Sequence, residues 1–232
     1  MTVSIIQEMK PVIDRTIANL KKKTFKSDPI VEREFSRIYS LVGSSQKRHG
    51  AIIEKSIIEA LKKYRNYEVW GERSFKVSNR VNGMVSTVHR VKDNPDWLDL
   101  LDNNFEYGQA ERTQQVDIIA YDKNKKKIIG LEVKRGYSHH DAGKKKKILQ
   151  ETLALRMLIK SYGEQQGLEI DNREAFVCCY YGSNEFDERI SINKDGLKNL
   201  FGVDVLTPVE EVNHYFRKRI RDLGTEWISS LK

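Results

Sequence analysis

The chain has 232 residues, 39% hydrophobic and 32% charged, and its 41 Lys and Arg outnumber 33 Asp and Glu for a net charge of +8. That length fits one domain with at most an appended subdomain. No apolar run approaches bilayer-spanning length, and Met1-Thr2-Val3-Ser4 does not open a signal peptide, so a cytoplasmic protein without a membrane partner is expected.

In chain order, residues 1–42 read as helical with a break near Ser27-Asp28-Pro29, and residues 1–45 form an N-terminal helical extension to a domain spanning 46–232. Residues 46–64 read as an amphipathic helix with Ala51, Ile57, Ile58 and Leu61 on one face. Glu54 falls on that same face. A carboxylate on an apolar stripe needs a partner, unless it is a flanking Glu favoured by the helix dipole. A strand is expected over 67–77. Residues 78–114 are long, polar and irregular, with Gly83, Pro95, Asn103-Asn104 and Gly108. Such loops are uncommon in compact domains unless functional. This one carries Arg80, His89, Arg90, Lys92, Trp97, Tyr107 and Arg112, which either contact DNA or cover a sheet edge.

Residues 115–136, QVDIIAYDKNKKKIIGLEVKRG, read as two apolar strands joined by a Lys-rich turn. Residues i and i+2 of a strand share a face, so Glu132 and Lys134 point together and Val133 points into the core. A hairpin symmetric about Asn124 and Lys125 sets Asp117 opposite Glu132. Two carboxylates and a lysine then share one face, within reach of a single cation. Adjacent carboxylates repel unless something positive lies between them. Mg²⁺ suits such a pair, because it is held by one or two carboxylates plus water and substrate phosphate. The alternative is an exposed cross-strand salt-bridge cluster, which the apolar neighbours Val116, Ile118, Ile119, Ile128, Ile129, Leu131 and Val133 oppose.

Beyond the hairpin, a helix is expected over 143–162, with Ile148, Leu149, Leu155, Leu158 and Ile159 apolar. Its first turn, Lys144 to Lys147, puts cations where the dipole disfavours them, which suggests phosphate contact. An apolar strand over 175–181 should run parallel to the Glu132 strand. It contains Cys178-Cys179, whose side chains point to opposite faces; no mutual disulfide is expected, and a reducing compartment fits. A short helix ending at Gly202, a strand over 203–206 and a last helix follow. That helix starts with Thr207 as N-cap, Pro208 and Glu210, and ends in basic residues before Gly224. The five histidines show no metal-ligand spacing; His139-His140 is their only pair and falls in a loop.

The positive charge is clustered at Lys21-Lys22-Lys23, Lys125-Lys126-Lys127, Lys144 to Lys147, and Arg217-Lys218-Arg219 with Arg221. Each run alone reads as a solvated helix face or turn; together they point to a polyanion, nucleic acid first.

Asp117, fourteen further residues, then Glu132-Val133-Lys134 resembles the PD-(D/E)xK nuclease superfamily, although Gln115-Val116 stands where the named motif has a proline before the aspartate. The resemblance covers about residues 46–182. It implies an α/β fold with a restriction-endonuclease-like αβββαβ core, a mixed central sheet and flanking helices. It also implies a Mg²⁺-dependent endonuclease, for which Mn²⁺ can substitute, acting on double-stranded DNA. Asp117, Glu132 and the Val133 carbonyl would hold metal, Lys134 would position or activate water, and Glu54 would be auxiliary. Arg48, Arg80, Arg90, Arg112, Arg135, Lys144, Lys145, Arg217 and Arg219 are the candidate DNA contacts. A restriction endonuclease acting as a homodimer is the leading expectation. A Holliday junction resolvase or repair nuclease, and a non-catalytic basic DNA-binding protein with a degenerate nuclease fold, are the rivals.

Overall fold

Apolar residues at 9, 13, 17 and 20 recur at helical spacing, and they form the buried face of α1 (Ile6–Lys22). The structure is a computed structural model that describes residues 4–25, 29–31, 33–89, 95–108, 110–136, 140–182 and 185–229. Ser27, Asp28, Arg90, Lys92 and His139 lie outside the described residues. The chain forms two compact units, Met1–Ala60 with Val203–Lys232, and Leu61–Gly202.

The first unit contains α1, most of α2 (Arg33–Lys62) and α6 (Leu206–Ser229). Residues 33–45 and 46–62 are one continuous helix. No proline interrupts the chain between Pro29 and Pro95, and Gly43 and Gly50 each cost only about 1 kcal/mol in a helix. The buried face of its second half is Ile52, Ile53, Ser56, Ile57, Ala60 and Leu61; Ala51, expected there, is exposed and Ile58 is half-buried. Asp14 of α1 accepts from Tyr215 Oη at 3.0 Å and pairs with Arg219 at 3.2 Å, which ties α1 to α6. His49 of α2 meets Asn213 Oδ1 at 3.0 Å and stacks on Phe216.

The second unit is an α/β structure built on a five-stranded mixed open sheet flanked by helices. Its strands are β1 (Tyr67–Val77), β2 (Arg112–Asp122), β3 (Lys127–Lys134), β4 (Asn172–Cys179) and β5 (Ser191–Ile192), ordered β1-β2-β3-β4-β5. β1, β2 and β3 pair antiparallel; β4 runs parallel to β3 as expected, and β5 parallel to β4. The connection from β3 to β4 is α4 (Ala142–Gln165), whose first amides are capped by Asp141 Oδ1 accepting from Lys144 N–H at 2.8 Å. All five apolar residues expected inside α4 are buried.

Residues 203–206 do not form a strand. Asp204 Oδ1 accepts from Thr207 N–H at 3.1 Å, so this stretch leads into α6, which starts at Leu206 and runs past Gly224 to Ser229. The fifth strand position goes instead to β5, where Ile190 O accepts from Val177 N–H at 2.9 Å. The short helix α5 (Gly196–Phe201) ends at Gly202 with φ 69°, the left-handed conformation that glycine adopts at a helix C-terminus.

The described residues of the stretch 78–114 hold more regular structure than its composition suggests. Ser78 caps α3 (Asn79–Ser86), a 3₁₀ turn covers Leu98–Leu100, and Trp97 is fully buried. Phe105 N–H donates to Met157 O at 2.9 Å, and Tyr107 packs between Phe75 and Tyr162. Trp97 and Tyr107 therefore serve the core that this segment covers.

Candidate active site on the central hairpin

Strand β2 pairs with β3 from Asp122↔Lys127 to Ile118↔Leu131, around the turn 123–126. The next pair in that register is Asp117 opposite Glu132, the arrangement expected from a symmetric turn. Asp117 Oδ2 accepts from Val133 N–H at 2.8 Å, and Gln115 Nε2 donates to Oδ1 at 3.4 Å. Opposite this point β1 is irregular, with register shifts on both sides of Glu72. Gly71 sits in that bulge, where a Cβ would lie 3.1 Å from the Asp117 carbonyl oxygen. Bulges of this kind re-aim a strand beside a functional site.

Glu132 and Lys134 lie on the face of β3 that α4 covers. A Cβ on Gly130 would come within 2.5 Å of Leu155 Cδ2 and 3.0 Å of Ile159 Cδ1, so Gly130 lets α4 approach the strand closely. Strand alternation carries that face on to Glu132 and Lys134. Their side chains retain 18% and 26% of their exposure, and Lys134 Nζ is ion-paired with Glu132 Oε1. Burial first, then the charge of Asp117, pushes the Glu132 carboxyl up to about 7, against the pull of Lys134. Burial alone would lower the Lys134 ammonium, but Glu132, Asp117 and Glu151 together hold it above its usual value. The Lys134 carbonyl accepts from Tyr180 N–H at 2.9 Å, which fixes the end of β3 against the chain leaving β4.

The structure therefore brings Asp117, Glu132 and Lys134 together, with Val133 buried between the latter two. Glu54 is half-buried on α2 in the first unit, and its auxiliary role rests on the resemblance alone. Sequence reading missed Glu151 of α4, whose charge acts on both Glu132 and Lys134.

The candidate DNA contacts divide by what they already hold. Arg112 donates to Asn82 Oδ1 at 2.8 Å and Gln114 Oε1 at 3.2 Å, Lys145 pairs with Glu185 at 3.7 Å, and Arg219 pairs with Asp14. Arg80 is exposed with its guanidinium 4.8 Å from the Phe105 ring. Lys144 and Arg217 are exposed, Arg48 is half-buried, and Arg135 directly follows Lys134 with its guanidinium 5.8 Å from the Tyr181 ring. The Lys-rich turn also has acidic partners: Lys126 pairs with Glu169 and Lys127 with Glu174, both at 2.7 Å. His140 Nδ1 lies 2.8 Å from Glu185 Oε2, a contact within the protein rather than one offered to substrate. Cys178 and Cys179 are both buried free thiols.

Among the described residues, no group of three or more His, Cys, Asp or Glu is placed to hold a metal ion. An all-protein cage is thus not on offer among them. The donors at the cluster are two carboxylates, one of them driven towards protonation by burial and a like charge, and that chemistry fits a hard cation completed by water and phosphate. No described helix is long and apolar enough to cross a membrane. Scans against protein-family models, curated proteins and solved structures each returned no match.

Proposed function

We propose that the chain is a Mg²⁺-dependent DNA endonuclease of the PD-(D/E)xK kind, cytoplasmic, acting as a homodimer on double-stranded DNA in the manner of a restriction enzyme. The observation that carries this reading is the half-buried Asp117–Glu132–Lys134 cluster, in which Glu132 is raised to about 7 beside a second carboxylate. Each carboxylate has a partner, Lys134 for Glu132 and the Val133 amide for Asp117, yet burial and the charge of Asp117 still raise Glu132 against the pull of Lys134. The order of elements α2, β1, β2, β3, α4, β4 supports the αβββαβ core.

In this reading Asp117 is held rigid by the Val133 amide while keeping acceptor capacity for a cation, and Glu132 supplies the second carboxylate. Bound Mg²⁺ would supply polarisation of a phosphoryl oxygen and a lowered pKa for water. Lys134, anchored at its carbonyl by Tyr180, orients the attacking water or offsets the negative charge that develops on the phosphate. Arg135, next in the chain, would contact a neighbouring phosphate in this reading.

The test is incubation of the purified protein with phage DNA in Mg²⁺ or in EDTA, resolved on a gel. Discrete bands dependent on Mg²⁺ are expected. DNA left whole in Mg²⁺, with branched junctions also intact, would overturn the enzymatic reading. Cleavage of junctions alone would replace the restriction-type substrate with a resolvase-type one.

A further inference from the structure

Glu151 stands over the cluster for a reason that the packing of α4 makes explicit. A Cβ on Gly163 would lie 2.9 Å from Ile128 Cδ1, while Gly130 meets Leu155 and Ile159. Helix numbers fall as strand numbers rise, so α4 runs antiparallel to β3. One helical step of four residues advances about 6 Å, and two strand residues advance about 6.6 Å. Starting from Leu155 on Gly130, the next step along both elements sets Glu151 at Glu132. Residues 151, 155 and 159 share one helix face. The alignment is braced from β2, where Gln114 Nε2 donates to the Glu151 carbonyl at 2.9 Å, three residues before Asp117.

Glu151 is therefore a third carboxylate beside the cluster, but it does not complete a three-ligand metal group with Asp117 and Glu132. Among the described residues its ion pair is to Lys147 at 3.8 Å, and Lys147 is 74% exposed, so water screens that contact. Lys134, by contrast, is paired with Glu132 Oε1, so a divalent cation taking that carboxylate meets a positive charge already on it. The two positive charges repel, so a cation on the carboxylate weakens the ammonium's hold on it.

We propose that Glu151 is a positioning residue that receives the Lys134 ammonium when a divalent cation takes Glu132. Lys134 swings from the β3 carboxylate to the α4 carboxylate and remains over the site, aimed at the phosphate instead of at the metal oxygens. This rests on the proposed metal-dependent reading of the cluster.

The test is a thermodynamic cycle on cation binding by the full chain without DNA, with free Mn²⁺ followed by electron paramagnetic resonance. The variants are Glu151→Gln, Lys134→Met and the double variant, with Glu151→Asp as a charge-preserving control. In the wild-type background, Glu151→Gln should weaken Mn²⁺ binding about tenfold, the size of a typical lost coupling between contacting charges. In the Lys134→Met background the same change should alter binding by less than about twofold, because no ammonium is left to displace. Glu151→Asp should recover most of the wild-type affinity. An equal loss in both backgrounds would overturn the proposal, leaving Glu151 as a mere source of negative potential. No effect in either background would overturn it too. Failure of the wild-type protein to bind Mn²⁺ would instead remove the metal-dependent reading, and this inference with it.

Discussion

The two ends of the same hairpin hold carboxylates, one buried and one pair half-buried, that behave in opposite ways. At the turn, Asp122 is 2% exposed, and its oxygens accept from Asn66 Nδ2 at 3.1 Å, Tyr67 Oη at 3.3 Å and Asn124 N–H at 3.1 Å. All three donors are neutral and belong to the local fold, so this carboxylate locks the turn to the start of β1. At the other end, Glu132 has one partner, Lys134, and faces Asp117. Full or partial burial is common to both; what differs is whether the surroundings complete the carboxylate or leave it strained. A saturated acid reads as architecture, and a repelled one as a place awaiting a cation.

The sharpest break between the two ends should come from Lys134→Ala. Cleavage should fall on the order of 10³-fold with DNA binding largely kept, measured by single-turnover cutting and by gel shift. Full activity in that variant would sink the mechanism. Asp122→Ala should act the other way. It strands the Asn66 and Asn124 donors, Tyr67 Oη keeping its bond to the Phe201 carbonyl, and should cost about 2–3 kcal/mol in urea unfolding, while the folded fraction cuts at the wild-type rate. A loss of turnover per folded molecule would mean that the turn is not merely architectural. Gly130→Ala lies between the ends and should cost roughly 1–3 kcal/mol by forcing Leu155 and Ile159 away, with reduced cleavage as α4 lifts from Glu132.

The smallest effect is on pH. The Glu132 pKa is raised from 4.5 to about 7, so its neutral form is the one the fold prefers. Its contribution is fully present below about 4.5 and is lost as pH rises through about 7. Glu132→Gln should therefore raise the melting temperature by roughly 3–6 °C at pH 8 in EDTA and leave it unchanged near pH 4. The converse result, destabilisation at pH 8, would show that the Lys134 pair outweighs burial. Cation affinity should rise as pH passes through 7, since binding must release the Glu132 proton.

The features written in local chemistry were legible. The symmetric Lys-rich turn gave the Asp117–Glu132 register, the apolar stretch before Tyr181 gave a parallel partner for β3, and Gly202 marked the end of α5. What failed was whatever depended on tertiary choice. The helical stretches read as 1–42 and 46–64 join across 43–45 into one helix, and its buried face passes through Ile52 and Ile53 rather than Ala51. Val203 to Leu206 has strand composition, but Asp204 captures the Thr207 amide and commits the stretch to α6. Glu151 lies nineteen residues beyond Glu132 and its charge reaches it because α4 folds back along β3. One signal was present in the chain: a lone glycine inside an apolar strand marks a close backbone approach. Gly130 thus pointed to a helix packed tightly beside Glu132.

The four-residue turn also sets a rule of parity for any related chain. Asp122 and Lys127 differ by five, and every further rung of the ladder adds two, so facing residues are always separated by an odd number of positions. Lengthening the hairpin by one rung preserves the encounter of the two acids, whereas adding a single residue to one strand would rotate one of them onto the opposite side of the sheet. Divergent descendants of this chain should therefore carry their Asp-to-Glu spacing in steps of two, wherever the turn keeps its length.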